Sequence, residues 1–116
     1  MTQEKELTEV TKEIIKRIEV LKDSTKKSMI PGEVNILRGI IIFETFIKEI
    51  NPDVINDEEI NKICNYIDAY MIKKEDLTQS VNHRIHQGIT LCHIILDSYN
   101  KEIKRKTLKN EENHTI

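Results

Sequence analysis

The chain has 116 residues and a mass of 13.6 kDa, the length of one ordinary domain. Its 18 Lys+Arg against 20 Asp+Glu leave a net charge of −2, and 33% charged with 38% hydrophobic residues is the composition of a soluble globular protein. That balance argues against nonspecific coating of nucleic acid, and no apolar run approaches the ~20 residues needed to cross a bilayer.

The N-terminal stretch MTQEKELTEV is polar and mixed in charge, unlike a secretory or transit peptide, so a cytoplasmic protein that does not engage membrane is expected. Cys64 and Cys92 lie far apart among isoleucines, where buried, reduced thiols are expected rather than a disulfide framework.

In the first segment Leu7, Val10, Ile14, Ile18 and Leu21 recur at intervals of three and four, the stripe of an amphipathic helix. The polar run from Lys22 to Ser28 is expected to fray into a connection ending at Pro31-Gly32. The second segment is the most apolar and carries two stripes. Ile36, Ile40, Phe43, Ile47 and Ile50 form one; Val34, Leu37, Ile41 and Phe46 form the other. Two stripes predict burial on two sides and hence the central helix of the fold, closed by Asn51-Pro52.

Asn56 followed by Glu59 has capping-box spacing, with Asp57 and Glu58 placing negative charge at the positive end of a helix dipole. Ile60, Ile63, Cys64, Ile67 and Met71 continue that third helix. The fourth begins at Asp76 or Thr78 and runs to about Leu108, on the stripe Val81, Ile85, Ile89, Cys92, Leu96, Tyr99 and Ile103. The expected fold is therefore all-α. Residues 1–109 form a single-domain bundle of about four helices, with a central two-sided apolar helix and a long C-terminal helix. Residues 110–116 form a disordered tail.

Gly39 and Gly88 fall inside helices, where each costs about 1 kcal/mol relative to alanine. Either the cost is simply tolerated, or the second and fourth helices approach closely there.

Few residues carry chemistry. His86, Thr90, His93 and Asp97 make a polar stripe beside the apolar one on the last helix, suited to an interface. A two-turn gap between the histidines is too long for one metal, so no metal, cofactor or catalytic residue is expected. Within Met71–Ile85, the pieces Leu77-Thr78-Gln79-Ser80 and Arg84-Ile85 resemble the turn and recognition helix of phage-repressor-type helix-turn-helix regulators. The resemblance implies that Gln79, Ser80 and Arg84 face DNA. The segment departs from that pattern at Ile72, where a small residue is favoured, at Asp76, where glycine is, and at Asn82, where an apolar residue packs.

The leading expectation is a small non-enzymatic helical module that binds a partner protein's surface: a regulator, inhibitor, or immunity or adaptor type of bacterial or phage-like character. Heptad-like stripes on the first and last helices also allow a homodimer. The alternative is a DNA-binding transcriptional regulator using residues 71–85.

Overall fold

The structure, a computed structural model, describes residues 6–27, 34–72 and 79–114, and for 72, 79 and 109–114 the backbone alone. Four helices account for nearly all of it: α1 (Glu9–Lys27), α2 (Val34–Ile50), α3 (Asp57–Ile72) and α4 (Gln79–His114).

Local chemistry sets the boundaries. Thr8 caps α1: the Thr11 backbone N–H donates to its Oγ1 at 3.1 Å, and the first helical bond runs from Lys12 N to Thr8 O. Asn56 does the same for α3, accepting the Glu59 N–H at 2.8 Å, as the capping-box spacing predicts. Helix α2 ends where Asn51 turns into the left-handed region at φ 49°, a conformation asparagine tolerates better than most residues. The side chain of Asn51 then ties two ends together. Its Nδ2 donates to the Glu6 carbonyl at 3.1 Å and its Oδ1 accepts the Thr8 N–H at 2.9 Å.

Two boundaries differ from the sequence expectation. Helix α1 does not fray at Lys22 but continues to Lys27, because Lys22 is held by carboxylates on two helices. Helix α4 passes the 109/110 boundary and keeps a helical backbone to His114, although apolar periodicity stops near Leu108. The Pro31-Gly32 connection, the proposed starts at Asp76 and Thr78, and the turn of the helix-turn-helix segment lie outside the described residues.

The helices alternate in direction. Thr8 meets Asn51, and Lys22 meets Glu44, so α1 runs antiparallel to α2. Asp57, at the start of α3, meets Asn100 and Lys104, far along α4, so these two helices also run antiparallel. The bundle is squashed along one diagonal. Helices α2 and α4 make the most extensive contact, whereas α1 and α3 do not meet among the described residues.

The reason is visible at Gly39 and Gly88. A Cβ added at Gly39 would collide with the Ile85 carbonyl oxygen and stand 3.1 Å from the Gly88 Cα. One added at Gly88 would collide with the Ile36 carbonyl oxygen. The backbones touch here, and only glycine permits it. The smallest dimension of the molecule is accordingly 24 Å, against 58 Å along its length.

One core fills the slab: Ile14 and Ile18 from α1, Ile40, Phe43 and Ile47 from α2, Ile60, Ile63, Ile67 and Met71 from α3, and Ile85, Ile89, Cys92 and Leu96 from α4. Helix α2 touches all three other helices and is central, as its composition predicts. Contrary to the expected burial on two sides, its second stripe is only partly covered, because no helix among the described residues packs over Val34 and Ile41. Leu37 and Phe46 are half-buried, while Val34 and Ile41 are exposed. Phe46 meets Tyr66 and Tyr70 edge-on, with ring centroids 5.3 and 4.9 Å apart.

Candidate interaction surface

Three polar clusters lock the helices and thereby fix which face of α4 looks outward. Glu44 is 7% exposed and lies between α1 and α2, where Lys22 Nζ reaches its carboxylate oxygens at 3.2 and 3.3 Å and Glu19 at 2.8 Å. The hydrogen bond to Glu19, and then that to Glu44, raise the Lys22 pKa against the opposing effect of burial. Between α1 and α4, Arg17 bonds Glu13 at 3.0 Å and Glu102 at 2.8 Å, and its guanidinium lies 4.5 Å from the Tyr99 ring centroid. Between α3 and α4, Asp57 accepts from buried Asn100 at 2.7 Å and from Lys104 at 3.1 Å.

The thiols are poor nucleophiles in this setting. Burial, with the Glu44 charge adding to it, pushes the Cys92 thiol up to about 12. Burial, with Asp68 and Asp97, pushes Cys64 up to about 11. Both are protonated near neutrality, and the thiolate is the reactive form. Among the described residues no three His, Cys, Asp or Glu side chains converge as a metal site.

The stripe read from the sequence is divided by the fold. His86 is half-buried; Thr90, His93 and Asp97 are exposed. Thr90 spends its hydroxyl on the His86 carbonyl at 2.9 Å. His86 and Thr90 line an open groove of about 400 Å³ with Ile36, His83, Gln87 and Leu91, while His93 and Asp97 lie beyond it. Ser80 and Arg84 are exposed near the start of α4, and the Gln79 side chain is not among the described ones.

Hydrophobic periodicity passes over the most unusual property of α4. From Ile85 to Leu96 there is no Asp, Glu, Lys or Arg, in a chain one-third charged. The inner side of this run is core; its outer side presents Gln87, Thr90, Leu91, His93 and Ile94 to solvent, with Ile94 58% exposed. Elsewhere the large exposed apolar residues are dispersed. Val20 stands among the charges of α1, and Val34 and Ile41 share their face with Arg38 and Lys48. The signal for this outer face is the gap in charge itself, twelve residues long and legible in the sequence.

Compared with known protein families, curated proteins and solved structures, the chain matches none. Among the described residues no helix is long and apolar enough to cross a membrane.

Proposed function

We propose that this protein is a small non-enzymatic interaction module that works by binding the surface of a partner protein, with the outer face of α4 as the contact. The observation that carries this reading is the uncharged outer surface between Arg84 and Asp97, with Leu91 and Ile94 exposed at its centre. Depletion of charge around exposed apolar anchors is the compositional mark of an interface core. The interior supports the same reading from the other side. Its buried Glu44 and Asn100 are spent on joining helices, and its thiols are held protonated.

The test is a pull-down of the tagged protein from a lysate of its own host, with and without nuclease, read by mass spectrometry. One stoichiometric protein that survives nuclease is the expected result. Loss of all partners after nuclease, with DNA recovered from the untreated sample, would contradict it.

A further inference from the structure

The outer face of α4 has an internal order that specifies its partner further than hydrophobicity alone. Gln87, Ile94, Lys101 and Leu108 follow one another at intervals of seven, on one line of the helix, and Ile94 and Leu108 are each 58% exposed. Thr90 and Asp97 flank this line on one side; Leu91, Ser98 and Arg105 flank it on the other. The result is a convex ridge of coiled-coil spacing on the outside of the bundle, with two apolar positions ~21 Å apart and a lysine midway.

The cations on this ridge differ from those around it. Lys104 is engaged by Asp57 and Lys106 by Glu102, whereas among the described residues Lys101 and Arg105 pair with no carboxylate. Among the described residues Asp97 is the single acid beside them, and with Ile94, Ser98, Lys101 and Arg105 it lines a hollow of about 350 Å³ between side chains along the ridge.

Building on the reading of α4 as a contact surface, we propose that its occupant is an acidic amphipathic helix of a different protein. That helix sets apolar residues against Ile94 and Leu108 and a carboxylate against Lys101 and Arg105. A helix is the element whose side chains interdigitate with a convex ridge of this spacing. Charge weighs against a second copy of this chain in the two registers that pair both apolar positions. A parallel copy in register brings Lys101 against its own counterpart. So does an antiparallel copy that sets Ile94 against Leu108, because Lys101 is midway between them. Either arrangement places like charges together at the centre of the seam, while an acidic helix satisfies them. A lysine between two apolar positions also fixes register, since sliding the partner by one heptad would place an apolar residue on it.

The test uses the full chain carrying a photo-crosslinking residue at Ile94 or, as a comparison, at Ile41 on the outer face of α2. Irradiation in nuclease-treated host lysate is followed by sequencing of the crosslinked peptides. The expected result is a crosslink from position 94 to one other protein, in a segment of helical periodicity rich in Asp and Glu. The Lys101→Glu/Arg105→Glu variant should lower its yield about tenfold at an unchanged Tm, because both residues are exposed. A crosslinked peptide from this same chain, or a yield that charge reversal leaves intact, would overturn the proposal. A partner that crosslinks at position 41 and not at 94 would overturn it and move the contact from α4 to α2, while leaving partner binding itself in place. No crosslink at either position, with no nuclease-resistant partner in the pull-down, would end both.

Discussion

The two sides of α4 are built on opposite rules. On the inner side Gly88 brings the helix against the α2 backbone, with Ile85, Ile89, Cys92 and Leu96 sealed around it. On the outer side the same twelve residues, Ile85 to Leu96, present Gln87, Thr90, Leu91, His93 and Ile94 to water without a formal charge. The inner side has no tolerance in space. The outer side has no evident structural demand at all, yet it is where the usual surface charges are missing. A helix that needed only to fold would have been free to carry Lys or Glu there, as α1 does at Lys12, Lys16 and Glu19. The contrast separates what holds the molecule together from what it presents.

The largest effect should come from the inner side. Gly39→Leu or Gly88→Leu pushes a side chain into a carbonyl oxygen of the facing helix, and overpacking against backbone cannot be relieved by a rotamer change. We expect a loss of about 3 kcal/mol or more, seen as collapse of the cooperative thermal transition. A Tm within a few degrees of wild type would show that α2 and α4 can separate without cost.

Next is the ion pair between α1 and α2. Lys22→Ala leaves Glu44 buried with its principal partner removed, and should cost about 2 kcal/mol by denaturant titration. Replacing both by apolar residues, Lys22→Met with Glu44→Leu, should recover most of it. Thr8→Ala removes a helix cap that also bonds the Pro52 carbonyl, and should cost about 1 kcal/mol.

A pH titration probes the ties between helices by another route. Lys104 and then Asn100 hold Asp57 below its ordinary value, and Arg17 does the same for Glu102. The stability these carboxylates contribute is complete above the ordinary carboxylate range and drains as the pH falls through their lowered values. The double variant Asp57→Asn/Glu102→Gln should therefore show a flatter loss of stability below about pH 4 than wild type. Identical acid limbs would show that the two pairs contribute nothing to folding.

The bundle was legible because its signals are redundant. Asn56 with Glu59 marks the start of α3, the Ile85–Ile103 stripe marks the inside of α4, and the two glycines mark a close approach that the structure places at one crossing. The ends of α1 and α4 were not legible. Lys22 reads as a solvated residue in a polar run, and only the fold brings Glu44, on another helix, within reach of it. Likewise the stripe of His86, Thr90, His93 and Asp97 is contiguous in sequence periodicity, but the fold sets His86 and Thr90 in a groove beside Ile36 and leaves His93 and Asp97 outside it. Hydrophobic periodicity reports what is buried. It is silent on exposed apolar residues such as Ile94, for which the missing charges are the better signal.

The smallest expected effect on stability is also the decisive one for function. Leu91→Asp/Ile94→Asp changes exposed side chains on the outer face, so its Tm should stay within the range of ~0.5 kcal/mol that surface substitutions span. The measurement that matters is retention of the nuclease-resistant partner by this folded variant. Loss of the partner with the melting curve unchanged is the expected result. Full retention of the partner would contradict it, and would move the contact away from α4.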